Sequence, residues 1–190
     1  FLILVTEIPE YYKRWGFQEI GKYEIVIEPP STGKNPITCQ DIPYESILDW
    51  YSSFYQSFQV IAPFRNLAYM RGMEEWNQWS SMFNYNEKKA GWFLLENEIG
   101  QLAIFYGLDR GEYFKVFEII WDKNIDKKGL LMLLNGWSYH LGKDIHLDLP
   151  LLVINYLGLE AKKDPKDTVM VKTFSEIDLK RLYLPVPDYF

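Results

Sequence analysis

The chain has 190 residues, 48% hydrophobic and 17% aromatic, which is ample for one core of domain size and too little for two full ones of this kind. A formal net charge of -6 argues against a nucleic-acid or anionic-membrane surface, since both need clustered positive charge. The one cysteine, Cys39, excludes an internal disulfide, and no Cys/His pair has the spacing of a zinc site.

The predicted elements begin with FLILVT, residues 1–6, an apolar β-branched run with the length of a buried strand. A short helix carrying Tyr11, Tyr12 and Trp15 follows and closes on Gly16-Phe17. Gln18 to Glu28 alternates as one further strand, with Tyr23, Ile25 and Ile27 on one face and Lys22, Glu24, Val26 and Glu28 on the other. Position 1 is not methionine and lies inside an apolar strand, so the expectation is a piece of a larger protein. Residues 29–36, PPSTGKNP, are rich in structure-stopping residues and read as a linker.

Ile37 to Gln40 reads as a short strand whose Cys39 is a packed thiol, and Asp41, Pro43 and Glu45 are start signals for a helix. That helix spaces Ile47, Trp50, Tyr51, Phe54, Tyr55 and Phe58 on one aromatic face, the pattern of core packing. Beyond Pro63 a second helix carries Met70, Met73, Trp76, Trp79 and Phe83, weakened at Gly72. Three strands in hairpin order come next, Trp92 to Asn97, Gln101 to Gly107 and Tyr113 to Trp121. A helix from Lys127 to Leu141 puts Leu130, Leu133, Leu134, Trp137 and Leu141 on one side, with Gly142 just past its end. Then follow a strand at Ile145 to Leu149, a helix at Leu151 to Lys163, a strand at Val169 to Phe174 and an extended tail through Pro185 and Pro187. His140 and His146 read as packing or surface residues. No apolar run is long enough to span a membrane and no signal peptide is visible, so a soluble cytoplasmic protein is expected.

The strand-helix-Gly-Phe-strand order around Tyr11-Tyr12-Lys13-Arg14-Trp15-Gly16-Phe17 resembles the end of a domain of the GNAT superfamily of N-acetyltransferases. The order over 37–174 is strand, two helices, three-strand meander, helix, strand, helix, strand, and it resembles a whole GNAT domain. Arg65, Trp76, Glu118, Pro150, Met170 and Lys172 are similar to positions in the second domain of tandem members. The resemblance implies an α/β (α+β) fold with a mixed, mostly antiparallel central sheet flanked by helices. It also implies three parts: residues 1–28 as the C-terminal remnant of a first GNAT domain, 29–36 as linker, and 37–190 as a second GNAT-like domain with an extended C-terminal tail.

From the resemblance follow expected roles. Tyr12 is the general acid of the first domain, since a phenol beside a developing thiolate can return a proton to it. In the second domain, acetyl-CoA would lie between the strands at Tyr113–Trp121 and Ile145–Leu149, along the backbone of Ile119, Ile120 and Trp121. Its pyrophosphate would meet Lys127, Lys128 and Gly129 at the next helix start. Glu118, the one carboxylate within that apolar strand stretch, would take a proton from the attacking amine. The family's phosphate loop reads Gln/Arg-x-x-Gly-x-Gly/Ala, and here only Gly129 matches, while Asp122 and Asp126 bring negative charge. The parent is therefore expected to move acetyl from acetyl-CoA to a small amine or a peptide or protein amine. Its catalytic loop would lie in a missing N-terminal GNAT domain, and the second domain would be a degenerate scaffold or a homodimer surface. No nucleic-acid or membrane partner is expected. The other reading is a non-catalytic binding or dimerisation module of the same fold, whose seven Trp, fourteen Tyr and twelve Phe include a partner surface.

Overall fold

A computed structural model of the chain describes residues 2–20, 23–34, 36–39, 42–58, 65–72, 75, 91–100, 102–122, 124–149, 151–163, 168–177 and 179. In chain order the first strands are β1 (Leu2–Thr6), β2 (Gln18–Ile20), β3 (Tyr23–Ile27), β4 (Ile37–Cys39) and β5 (Gly91–Glu96). They are followed by β6 (Leu102–Asp109), β7 (Tyr113–Trp121), β8 (Asp144–Leu149), β9 (Lys162–Lys163) and β10 (Thr168–Lys172). The helices are α1 (Pro9–Lys13), α2 (Tyr44–Phe58), α3 (67–72), α4 (Lys127–Leu141) and α5 (Leu151–Leu157).

Among the described residues, seven strands form the larger sheet in the order β4-β5-β6-β7-β8-β3-β9, and three form a smaller one in the order β1-β10-β2. Every pairing among the described residues is antiparallel except β7 with β8. Trp92 and Phe93, neighbours on β5, must point to opposite faces of the pleat. Trp92 meets Tyr51 of α2 at 6.0 Å and Phe93 meets Trp137 of α4 at 6.0 Å, so the two helices cover opposite faces. Of the predicted aromatic face of α2, Ile47, Tyr51 and Phe54 are buried and Trp50 is half-buried, while the side chains of Tyr55 and Phe58 lie outside the described residues. The Leu130, Leu133, Leu134 and Trp137 side of α4 is core. That helix runs over the predicted residues because both ends are capped: Asp126 in extended conformation before it, and Gly142 in the left-handed region after it.

Two readings of the sequence are corrected here. Gln18 to Glu28 is not one strand but two, β2 beside β10 and β3 between β8 and β9. The alternation is real, with Ile25 and Ile27 buried, but a period of two cannot show which sheet receives each half. The helix at Leu151 stops at Leu157 because Gly158 takes φ +57, and the chain then returns as β9. The segment read as a linker packs on α4. A Cβ on Gly136 would stand 2.6 Å from the Lys34 carbonyl oxygen and one on Gly33 2.7 Å from the Tyr139 ring, so the segment lies flat on α4. Lys34 adds an exposed ion pair to Glu98 at 2.8 Å.

In the second predicted helix Met70 is buried, while Met73, Trp76, Trp79 and Phe83 lie outside the described residues. Pro150, the side chain of Cys39 and the tail at Tyr183–Pro187 lie outside them too. No helix among the described residues is long and apolar enough to cross a membrane.

Candidate functional site

β7 and β8 pair only from Tyr113 to Val116, opposite Asp144 to Leu147. Beyond Val116, β7 keeps β6 alone among the described residues, with Glu118 opposite Tyr106 and Trp121 opposite Ala103. β8 meanwhile continues to its end against β3. The two strands therefore part into a V whose one arm carries Ile119, Ile120 and Trp121, all buried. An irregularity between Tyr106 and Gly107 accompanies the parting, as a bulge adds local bend and twist. Only glycine fits at Gly107, where a Cβ would stand 2.5 Å from the Phe114 ring and 2.8 Å from the Lys115 carbonyl oxygen.

The open end of the V is bridged by aromatic rings. Trp121 stacks on Tyr156 of α5, centroids 5.4 Å apart and planes at 23°, and meets Phe54 of α2 edge-on at 4.7 Å. The Tyr156 hydroxyl donates to the Ile125 carbonyl at 3.4 Å. Burial, and then the nearby Asp126 charge, raise the Tyr156 phenol above its ordinary pKa.

At the start of α4, Asp126 Oδ1 accepts from the Gly129 N–H at 2.7 Å. Just before it, Asp122 Oδ1 accepts from the Asn124 N–H at 2.7 Å. Lys127 reaches the end of α5, where a Cβ on Gly158 would stand 2.5 Å from its Nζ, and Lys128 is exposed. A diphosphate needs unengaged N–H groups and no competing anion at a helix start. Here a carboxylate of the chain itself holds that position, so these residues do not fit the diphosphate of acetyl-CoA.

Glu118 lies deeper, with its Oε1 3.5 Å from Arg65 Nη2 and the two side chains 0% and 1% exposed. The Arg65 guanidinium also sits over the rings of Tyr69, at 4.4 Å, and Tyr51, at 5.5 Å. The fold thus gives Glu118 a cationic partner. A carboxylate so enclosed is not presented to an amine arriving from solvent.

Tyr12 stands elsewhere, on α1 against the small sheet. Its ring meets Tyr11 at 5.2 Å and Phe17 at 5.8 Å, both edge-on. Its carbonyl accepts from the N–H groups of Trp15 and Phe17, and Gly16 makes the turn at φ +80. The fold brings Glu118, Ile119, Ile120, Trp121, Lys127, Lys128 and Gly129 around one V and leaves Tyr12 on the other sheet. His140 stacks on Trp137, centroids 5.5 Å apart.

One polar cluster was not foreseen. On the sheet face away from α4, Glu24 Oε1 lies 2.9 Å from Lys115 Nζ and 3.0 Å from His146 Nδ1, and Tyr113 packs on the imidazole at 4.3 Å. Burial raises the Glu24 pKa, but the hydrogen bonds from Lys115 and His146 outweigh it and hold the carboxyl below its ordinary value. Alternation places these residues off the core face, but only the register of β3, β8 and β7 brings them together. No group of three or more His, Cys, Asp or Glu among the described residues could hold a metal ion.

No family model matches the chain, and no curated protein matches it in sequence. Solved structures do share its fold. A probable N-acyltransferase from Enterococcus faecalis V583 matches at 14% identity and TM-score 0.52, over 88% of this chain and 44% of that one. A GCN5-related N-acetyltransferase from Kribbella flavida matches at 12% identity and TM-score 0.52, over 88% and 41%. A functionally unknown protein from Staphylococcus epidermidis ATCC 12228 matches at 12% identity and TM-score 0.52, over 87% and 66%. The chain has the GNAT fold. It spans less than half the length of the Enterococcus and Kribbella proteins, and identities this low carry the fold alone.

Proposed function

We propose that the chain belongs to a longer GNAT-type N-acyltransferase that moves acetyl from acetyl-CoA to an amine. In this reading residues 1–28 close a first, catalytic unit, with Tyr12 as its proton donor. Residues 37–190 are a second unit that keeps the shape and serves as scaffold. The observation that carries the scaffold assignment is the Asp126 carboxylate on the Gly129 N–H, at 2.7 Å, where a cofactor phosphate would have to sit. The Trp121–Tyr156 stack across the V points the same way.

Calorimetry tests it. Acetyl-CoA at about 1 mM should give no binding heat with the 190-residue chain, whereas a Kd below about 0.1 mM that weakens in K127E/K128E would overturn the scaffold role. In the longer protein, Tyr12→Phe should lower kcat at least about a hundredfold with folding intact, the scale of a lost general acid. Unchanged turnover would sink the Tyr12 assignment.

A further inference from the structure

The two sheets share one plan. In the larger, β8 leads through α5 and the left-handed Gly158 to β9; in the smaller, β1 leads through α1 and the left-handed Gly16 to β2. Each unit then receives a strand from the other, antiparallel to both its new neighbours: β3 between β8 and β9, and β10 between β1 and β2. Laid side by side, β8-β3-β9 matches β1-β10-β2. β8 carries β7 as a parallel neighbour on its outer edge, and among the described residues β1 carries none.

The composition of that edge is wrong for water. Leu2 is 50% and Val5 43% exposed on β1, and Ile8, Tyr11 and Trp15 are exposed on the turn and helix beside it. β1 has none of the guards of a natural edge, no lysine, proline or bulge. Apolar residues on both of its faces are the pattern of a strand flanked on both sides, as parallel strands are. In β8, which holds the equivalent place, Ile145 and Leu147 are fully buried.

We propose that the outer edge of β1 takes a parallel strand from a GNAT unit upstream in the same polypeptide, in the relation that β7 bears to β8. This rests on the longer-protein reading above. It names the occupant as upstream chain rather than a second copy because a parallel neighbour is what the β8 unit has. The structures that match over 88% of this chain also extend well beyond it, the match covering 44% and 41% of their lengths.

Hydrogen exchange by mass spectrometry tests the pairing in the 190-residue chain and in the longer protein. The β1 amides that point away from β10 should exchange at least about tenfold more slowly in the longer protein. Val5→Lys should lower the melting temperature of the longer protein by several degrees and leave the 190-residue chain within about one degree. Equal exchange in the two proteins overturns the proposal, as does a coding sequence with no strand-forming segment before Leu2. Protection of β1 in the 190-residue chain that rises with concentration, alongside a dimer in sedimentation, assigns the edge to a second copy and also overturns it. Acetyl transfer is read in a separate assay, so a protein paired by exchange but inactive in that assay sinks the catalytic reading and leaves this one standing.

Discussion

Arg65 and Glu118 meet inside the core, Nη2 to Oε1 at 3.5 Å, with neither side chain more than 1% exposed. Taking two charges out of water costs several kcal/mol per ion, and their attraction only offsets that cost while both are present. Glu118→Ala should therefore destabilise the chain by about 3–5 kcal/mol, leaving the buried Arg65 guanidinium without the Glu118 charge. The double change R65M/E118L should recover most of that loss, because an apolar pair of similar volume asks for no desolvation of charge. Urea titrations of the three variants decide it, and a double variant no more stable than E118A would show that the pair does more than compensate itself.

Two glycines in helices predict opposite signs for one substitution. Alanine is favoured over glycine in a helix interior by about 1 kcal/mol, other things equal. At Gly72, the last described residue of α3, φ is outside the left-handed region and nothing among the described residues lies within 4 Å of an added Cβ, so Gly72→Ala should stabilise by about 0.4–1 kcal/mol by narrowing the freedom of the unfolded chain. At Gly136 on α4 the same methyl group would meet the backbone oxygen of Lys34 at 2.6 Å, and a backbone cannot swing aside as a side chain does. Gly136→Ala should destabilise by about 1–3 kcal/mol and raise protease cutting within residues 29–36, since the segment must lift off the helix. Intact resistance to cutting would mean that the segment is not held by this contact.

The Glu24 cluster predicts a dependence on pH. Its carboxyl titrates below the ordinary 4.5 in the folded chain, burial being outweighed by Lys115 and His146. A depressed carboxylate adds stability that is present above the unfolded value and is lost as pH falls through the lower, folded one. With the side chain 36% exposed, solvent screening keeps the contribution under about 1 kcal/mol. The melting temperature of the wild type should exceed that of Glu24→Gln at pH 6, and the gap should close as pH falls below 4.5. A gap that stays constant down to pH 3 would assign the effect to packing instead.

Elements whose signals are local were legible in the sequence. Helix α4 could be read to the residue, because its caps, Asp126 and Gly142, and its leucine face all lie within one short segment. The β5-β6-β7 meander was legible for the same reason, since turn residues and apolar runs alternate in chain order. What the sequence hid is long-range. Nothing between Gln18 and Glu28 says that β2 will join β10 and β3 will join β8, because pairing partners more than a hundred residues away leave no mark on local alternation. At the site, Glu118 stood out as a carboxylate in an apolar strand, yet its partner Arg65 is 53 residues away and enters from before α3. The composition of PPSTGKNP reads as a linker, and only Gly136, far along the chain, reveals where it lies.

The Asp126 cap predicts a graded series. Its Oδ1 satisfies the Gly129 N–H at 2.7 Å, one of the four N–H groups that a helix start leaves unpaired. Asp126→Ala removes that acceptor and should cost about 1 kcal/mol, while Asp126→Gly, which lets water reach the donor, should cost only a few tenths. Neither change should create affinity for acetyl-CoA, because Trp121 and Tyr156 still bridge the V with ring centroids 5.4 Å apart. Opening both barriers together, as D126G/Y156A, frees the helix start and removes the stacked ring. If the fold alone were enough to hold the cofactor, that double variant would gain a Kd near the millimolar range, and calorimetry would register it. The expected result is no heat, because the loop from Asp122 to Lys128 still lacks the glycines that let a diphosphate approach the backbone and still carries the Asp122 carboxylate on Asn124.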